Sequence, residues 1–350
     1  MSWLLWVSFL KMVVYDVLRD LAFWVYWCSR GPHVVLESSV RSVDGGEMRL
    51  HYFFEPSLSV RKAKEEQPVV LVLHGLTGHG LDSYTLELAR GAQAAGFDVV
   101  SATRRGCGDL KFTSAVVSHA AAEADVALLV EALAPLKRPV VLYAASFGGL
   151  LAYRYAANLR SPSVVVGLVA VCPLLSPSQN AKFIKSTGSL GRLVDRAVAH
   201  RLHTQFIKAR YPGSLARAPP KTVRAFDEAV VCPSAGFKDA DDYYRAADAS
   251  SLAPPQIPCL LITAKDDPIL DGTLKPTNSS KLLEVKQTKT GSHCGDPRGF
   301  FAQLQTTFRG GRGSGHAIAL KAFINNRALP FYYEKQQDGL FSNAVTSFCF

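Results

Sequence analysis

The chain has 350 residues, 48% of them apolar, and a net charge of +10 at pH 7. This length and composition allow one large buried core and exclude a low-complexity or wholly disordered chain. The seven cysteines form no C-x-x-C pair and no regular framework. We therefore expect neither a structural zinc site nor a disulfide scaffold, but reduced cysteines in an intracellular protein.

The first 30 residues are rich in tryptophan, leucine, valine and phenylalanine, with charges at Lys11, Asp16, Arg19 and Asp20. Such charges are unfavourable in a membrane-spanning helix, whereas aromatic residues near both ends and a charged patch are typical of a helix at a membrane interface. No small-residue cleavage site of the signal-peptide kind follows. We predict that residues 1–30 form a retained membrane anchor or interfacial helix. The alternative is an amphipathic helix packed on the protein's own surface.

Residues 31–350 are predicted to form the folded domain, which begins with an antiparallel hairpin. Alternating stretches at 34–36 and 48–54 flank Asp44-Gly45-Gly46, a typical hairpin turn. The next apolar run, Val69–Leu73, is continuous, as in a strand buried on both faces of a mostly parallel sheet. Further strands are predicted at 97–101, 140–143, 164–171, 259–263 and 282–285, and helices at 84–95, 119–133, 147–159 and 317–325.

This alternation of strands and helices predicts a doubly wound α/β fold with a mostly parallel sheet. Residues 174–250 interrupt the alternation, because their apolar residues follow a helical spacing that prolines at 212, 219 and 220 break. An insertion after a strand end lies over the carboxyl edge of the sheet, where the active sites of such folds occur. The insertion is therefore predicted to be a helical cap.

The predicted cap also concentrates positive charge. Between Ser176 and Arg224, ten basic residues stand against a single acid, Asp195, so this segment carries a charge of +9. A concentrated basic surface attracts nucleic acid or anionic lipid head groups. Because no nucleic-acid-binding motif is present, we predict that the basic cap and the N-terminal segment bind a membrane surface, and that the protein binds no nucleic acid.

Ser146 lies where a predicted strand meets a predicted helix. A serine at such a turn presents its hydroxyl at the sheet edge only if the backbone bends tightly, which requires small residues two positions away on either side. Gly148 meets this need, and Ala144 replaces the first glycine of the usual G-x-S-x-G pattern. The motif predicts a nucleophile elbow, and plain packing of small residues after a strand is the alternative.

Three reactive residue types follow predicted strands, in the order Ser146, Asp267, His293. Acyl transfer needs a nucleophile, a base that takes its proton, and a carboxylate that orients the base and stabilises its charged form. The separation of 26 positions between the carboxylate and the base leaves room for one helix and one strand. We predict that these three residues form a catalytic triad.

Other residues are also candidates for the carboxylate and for the base of the triad. Asp266 and Asp271 compete with Asp267, which is preferred because a proline follows it and suits a turn at a strand end. His316 competes with His293, which is preferred because it directly follows the last strand, whereas His316 opens a helix.

A tetrahedral intermediate also needs hydrogen-bond donors for its oxyanion. In this architecture one donor is the backbone N–H after the nucleophile, at Phe147, and the other comes from the loop after an earlier strand, where we predict Leu76. His74, in the same loop, is expected to brace the loop and not to act as a base.

Five motifs of the chain together resemble the motifs of one protein family. They are H-G-L-T-G at 74–78, R-G-C-G at 105–108, A-x-S-F-G-G at 144–149, A-K-D-D-P at 264–268 and G-S-H at 291–293. Over residues 34–325 the chain resembles the α/β-hydrolases of the group that includes lung α/β-hydrolases, plant embryogenesis-associated hydrolases and yeast medium-chain fatty-acid ethyl ester synthases/esterases. Ala144 and a glycine-rich tract after His293 depart from the family's pattern.

The resemblance implies an α/β-hydrolase fold with an N-terminal hydrophobic anchor and activity on acyl esters of lipids, including phospholipids, acylglycerols and ethyl esters, without a metal or other cofactor. We expect a membrane-associated serine hydrolase that cleaves carboxylic esters with medium or long acyl chains. One alternative is an acyltransferase that passes the acyl group to an alcohol. The other is a non-catalytic lipid-binding module, against which an intact triad argues.

Overall fold

The protein is described by a computed structural model. Its described residues are 2–22, 34–54, 67–159, 163–210, 219–295 and 315–337. Parts of the predicted N-terminal helix (23–30) and cap (211–218), and most of the glycine-rich tract after His293 (296–314), lie outside these residues.

Eight strands form one sheet in the order β1-β2-β4-β3-β5-β6-β7-β8. The strands are β1 Leu36–Arg41, β2 Glu47–Tyr52, β3 Val69–Leu73, β4 Asp98–Thr103, β5 Val140–Ala145, β6 Val165–Val171, β7 Cys259–Ala264 and β8 Leu283–Thr288. Strands β3 to β8 run parallel, and the β1–β2 hairpin joins the edge of the sheet antiparallel to β4. The predicted hairpin and the mostly parallel sheet are confirmed.

Helices cover both faces of the sheet. They are α1 Ser2–Ala22, α2 Ser83–Ala94, α3 Glu123–Glu131, α4 Ser146–Asn158, α5 Pro177–Ser186, α6 Ser189–Lys208, α7 Val223–Phe226, α8 Cys232–Ala235, α9 Ala240–Ala247, α10 Gly315–Phe323 and α11 Leu329–Gln337. Leu129 of α3 and Leu151 of α4 belong to one apolar cluster, whereas Leu86 of α2 and Leu320 of α10 belong to the other. Every residue of β3, β5, β6 and β7 is buried, because both faces of these strands are covered.

Two predicted helices differ from the observed ones. The helix predicted at 119–133 is shorter, because residues before α3 make tertiary contacts, and the N–H of Ala120 donates to the hydroxyl of Tyr243 in α9 at 2.8 Å. The helix predicted at 317–325 ends at Phe323 and is followed by a π-helical turn and by α11, which the sequence analysis missed.

The helices α5 to α9, hereafter the inserted helices, stand between β6 and β7, within the segment predicted as a cap. Ser176 caps α5 by accepting a hydrogen bond from the N–H of Gln179, and Thr222 caps α7 in the same way from Ala225. The chain therefore leaves the sheet as a series of helices, some of them capped by side chains, before it returns at β7.

Helix α1 packs against the rest of the protein. Its Leu5 forms an apolar cluster with Leu190 and Val194 of α6, and the hydroxyl of Tyr15 donates to the carboxylate of Glu87 in α2 at 2.7 Å. Within the described ranges, no helix combines the length and the apolar character that crossing a membrane requires.

Candidate active site

Ser146 occupies a sharp turn between β5 and α4. Its φ is +53°, in the left-handed region, and a Cβ added to Gly148 would lie 2.5 Å from the carbonyl oxygen of His74. Glycine is therefore required at 148 for the helix to approach β3 this closely. Ala144, where the pattern has glycine, is buried in β5 opposite Leu73 of β3, and the strand accommodates its methyl group.

The structure brings Ser146, His293 and Asp267 into one hydrogen-bonded chain. The Nε2 atom of His293 lies 3.0 Å from the Ser146 hydroxyl oxygen, and its Nδ1 atom lies 2.8 Å from Oδ2 of Asp267. The Asp267 side chain is 1% exposed and the His293 side chain 14%. This is the geometry in which a histidine can take a proton from a serine while a carboxylate fixes its tautomer. Hereafter these three side chains are called the relay.

The carboxylate of Asp267 is held by the backbone as well as by His293. Its Oδ1 atom accepts hydrogen bonds from the N–H groups of Ile269 at 2.8 Å and Leu270 at 2.9 Å. Backbone donors on one oxygen leave the other oxygen directed to the imidazole, so the turn after β7 orients the carboxylate.

The rival residues have different partners. The Asp266 carboxylate accepts hydrogen bonds from the hydroxyl of Ser8 at 2.7 Å and from the N–H of Ser292 at 2.8 Å. Asp266 therefore ties α1 to the loop that carries His293. Asp271 accepts hydrogen bonds from the N–H and hydroxyl of Thr273. The side chain of His316 lies outside the described residues.

The pKa of His293 lies above its ordinary value. Burial disfavours the charged imidazolium, but the Asp267 carboxylate outweighs burial and raises the pKa to about 9. The neutral imidazole that can act as a base is therefore lost as the pH falls through this value.

His74 is fully buried, and both of its ring nitrogens form hydrogen bonds. Nδ1 donates to the carbonyl oxygen of Gly75 at 2.7 Å, and Nε2 accepts from the N–H of Arg104 at 3.1 Å. Burial and the nearby Arg104 guanidinium hold the pKa of His74 well below its ordinary range, so the ring is neutral. These contacts brace the loop after β3.

Arg104, which the sequence analysis did not single out, connects the two residues predicted to supply oxyanion donors. Its Nη2 atom donates to the carbonyl oxygens of Gly75 at 2.6 Å and Leu76 at 3.1 Å, and its guanidinium carbon lies 4.7 Å from the centroid of the Phe147 ring. Leu76 and Phe147 both line the cavity that contains Ser146. In the sequence, this role is indicated only by the position of Arg104 directly after β4, which places it at the same edge of the sheet as Ser146.

A cavity of about 740 Å³ opens onto Ser146 and His293. Volumes of about 300–1,000 Å³ are typical of ligand-binding pockets. The inserted helices supply apolar lining residues from α5, α6 and α7. These include Ile184, Val194, Leu202, Phe206 and Phe226.

Helix α1 also lines this cavity, through Ser8, Lys11, Met12, Tyr15 and Asp16. Its buried residues Ser8 and Tyr15 lie two turns apart on the inward face of the helix. The sequence predicts a membrane anchor or interfacial helix at residues 1–30, or else an amphipathic helix on the protein's own surface. It does not reveal this contribution, because nothing in the local pattern indicates which distant cavity a helix will cover.

Comparison with known proteins places these features in a family. Residues 69–318 match the alpha/beta hydrolase family. The chain is 29% identical over 278 residues to embryogenesis-associated protein EMB8 of Picea glauca, an alignment that covers 73% of this chain and 60% of that protein. It is 23% identical over 270 residues to monoacylglycerol lipase of Saccharomyces cerevisiae, covering 72% of this chain and 60% of that protein. The aligned part thus spans about 60% of each relative's length.

A solved esterase structure shares the fold. The esterase of Pyrobaculum calidifontis superposes with a TM-score of 0.53 at 18% identity, over 90% of this chain and 92% of the esterase. Together with the family match, this confirms the α/β-hydrolase fold and the resemblance that the five motifs indicated.

The raised pKa of His293 predicts how the reactivity of Ser146 depends on pH. Because only the neutral imidazole accepts the serine proton, the rate constant for modification of Ser146 by a fluorophosphonate should rise with pH and level off above the pKa of His293. Its inflection should lie above 6.5, the ordinary histidine value, and nearer 9. In Asp267→Asn the inflection should move to lower pH, and the rate should fall by about 10⁴-fold because the ring loses its orienting carboxylate.

Asp271→Asn is the matched control, since it changes a carboxylate of the same loop whose oxygen accepts hydrogen bonds from Thr273. That variant should keep the wild-type inflection. A wild-type inflection at or below 6.5, or one that Asp267→Asn leaves in place, would contradict the electrostatic coupling of Asp267 and His293.

Proposed function

Because the chain belongs to the alpha/beta hydrolase family, we propose that it is a serine hydrolase that cleaves carboxylic esters of lipids through an acyl-enzyme. The observation that carries this proposal is the continuous hydrogen-bonded chain from Ser146 through His293 to Asp267. Its position at the carboxyl edge of a parallel sheet, beneath an apolar cavity, adds support.

In the proposed reaction the Ser146 hydroxyl oxygen attacks the ester carbonyl carbon while Nε2 of His293 takes the hydroxyl proton. The Asp267 carboxylate stabilises the resulting imidazolium. The backbone N–H groups of Leu76 and Phe147 hold the negatively charged oxygen of the tetrahedral intermediate, and Arg104 acts as a positioning residue for both. When the intermediate collapses, His293 gives its proton to the departing alkoxide, which leaves as an alcohol.

The acyl group then remains on Ser146 as an ester. His293, neutral again, takes a proton from a water molecule, whose oxygen attacks the acyl carbon. Collapse of this second intermediate returns the proton to the Ser146 oxygen and releases a carboxylic acid. Each bond made or broken uses only the substrate, water and these side chains.

The cavity supports lipid esters as the substrate class. Its apolar lining by Val194, Leu202 and Phe206 favours a hydrocarbon chain over a polar acyl group, because burial of each methylene contributes about 0.8 kcal/mol. The name of the yeast relative, monoacylglycerol lipase, points to the same class. Medium- or long-chain acyl esters, including acylglycerols and phospholipids, are therefore the proposed substrates.

A membrane surface is the proposed source of these substrates. The outward face of α1 carries exposed apolar side chains, with Trp3 75%, Leu10 56% and Val17 55% exposed, while Leu5 of the same helix packs against α6. Neighbouring α6 carries exposed basic residues. These are Arg192, Arg196 and Arg201. An apolar face beside a basic surface suits an interface of anionic lipids, and the inward face of the same helix lines the cavity.

Labelling with a fluorophosphonate probe tests the proposed nucleophile. We expect wild-type protein to be labelled and Ser146→Ala to be unlabelled, because the probe forms a covalent bond with an activated serine oxygen. Ser8→Ala is the matched control, since Ser8 lines the same cavity but its hydroxyl donates to Asp266. Equal labelling of wild type and Ser146→Ala would show that another group reacts and would refute the assignment.

Vesicle cosedimentation tests the proposed membrane surface. Replacing Leu10, Val14 and Val17 together by serine should weaken binding to anionic vesicles by about tenfold or more, because burying each such side chain contributes about 1.5–3 kcal/mol. Binding by the wild type should also weaken as salt is added, through screening of the basic residues.

The matched control replaces Val35, Val43 and Ile318 by serine, since these are exposed apolar residues outside α1. This control should bind vesicles as the wild type does. Equal binding by the α1 variant and the wild type would contradict a role of the α1 face in membrane binding.

A further inference from the structure

Two cysteines lie close to the imidazole of His293. Cys172 directly follows β6, and Cys294 directly follows His293 in the chain. One ring nitrogen of His293 and the two sulfur atoms all lie within 4.8 Å of one another. The cysteines are 122 residues apart in sequence, so their spacing could not reveal this cluster.

The backbone fixes the position of both sulfur atoms. The N–H of Cys294 donates to Sγ of Cys172 at 3.4 Å, and Sγ of Cys172 lies 3.8 Å from the carbonyl oxygen of Ser292. Sγ of Cys294 lies 3.6 Å from the carbonyl oxygen of Val171. The end of β6 and the histidine loop are thus held together close to the imidazole.

This donor set suits a thiophilic divalent cation. Zinc prefers thiolate and imidazole ligands in a tetrahedral arrangement, with Zn–S distances of about 2.3 Å and Zn–N distances of about 2.0–2.1 Å. Two sulfurs bound to one such ion are about 3.8 Å apart. Ligand atoms already within 4.8 Å of one another need to move by about 1 Å or less.

We propose that Cys172, Cys294 and His293 form an inhibitory site for a thiophilic divalent cation of the zinc class. Cys294 and His293 both line the cavity, which gives the ion a path to the site, and a water molecule or the Ser146 oxygen supplies a fourth ligand. Binding releases one proton from each thiol to the solvent and changes no oxidation state.

Inhibition follows from the contacts of His293. Both ring nitrogens are already hydrogen-bonded, Nε2 to Ser146 and Nδ1 to Asp267. A cation bound through either nitrogen therefore breaks one link of the relay. This consequence rests on the proposed function, whereas the binding of the metal does not.

Cobalt absorption tests the site without reference to activity. Reduced wild-type protein titrated with Co²⁺ should develop the near-ultraviolet absorption of a thiolate–cobalt bond, and Zn²⁺ should abolish it by displacing the cobalt. Cys172→Ser and Cys294→Ser should each lose most of this absorption, and either variant suffices if the other does not fold. Cys232→Ser, which alters a buried cysteine of α8, should retain it. No such absorption in the wild type would overturn the proposal, whatever the protein's activity.

Ester hydrolysis tests the inhibition. Zn²⁺ should inhibit the wild type reversibly, with activity restored by a chelator, whereas Mg²⁺ should not, since it prefers oxygen ligands. Measured against its own activity without metal, Cys172→Ser should require about tenfold or more Zn²⁺ for half-inhibition. Equal zinc sensitivity of Cys172→Ser, Cys294→Ser and the wild type would place the inhibitory ion elsewhere and refute the proposal.

Discussion

The site depends on the alignment of parallel strand ends at one edge of the sheet. Ala145 of β5 pairs with Val171 of β6, which pairs with Ile262 of β7, and Ala264 of β7 pairs with Thr288 of β8. The residues that follow these strands therefore emerge side by side, although 147 positions separate Ser146 from His293 in the chain. Alternate side chains of β5, β6 and β7 pack into two different apolar clusters, so a slip of one residue would move each side chain to the other cluster and disrupt the packing of both.

Local sequence patterns predicted those features of the site that depend on strand ends and tight turns. The elbow at Ser146 and the loop residues Asp267 and His293 follow predicted strands, so their common edge could be inferred from the alternation of strands and helices. Arg104 and Cys172 follow strands too, but their roles arise from contacts with loops far away in sequence. The position of α1 could not be predicted for the same reason, since its apolar residues allow it to face a membrane, the protein, or both.

The inserted helices and helix α1 both line the cavity, and they contribute different kinds of side chains to it. The inserted helices provide apolar side chains such as Phe206 and Phe226, which suit a hydrocarbon chain. Helix α1 contributes polar contacts, and its Ser8 reaches the histidine loop through Asp266 and Ser292. Helix α1 thus exposes an apolar face to the solvent and forms hydrogen bonds with the loop that carries His293. It connects the protein surface to the relay.

In the proposed function the relay makes Ser146 a nucleophile that carries the acyl group. Peptide mass spectrometry after a brief reaction with a medium-chain p-nitrophenyl ester measures this directly, because an activated ester acylates the enzyme faster than water removes the acyl group. We expect a mass increase of one acyl group on the peptide that contains Ser146, absent when His293 is replaced by alanine. Hydrolysis of the ester with the acyl group on another residue, or on none, would contradict it.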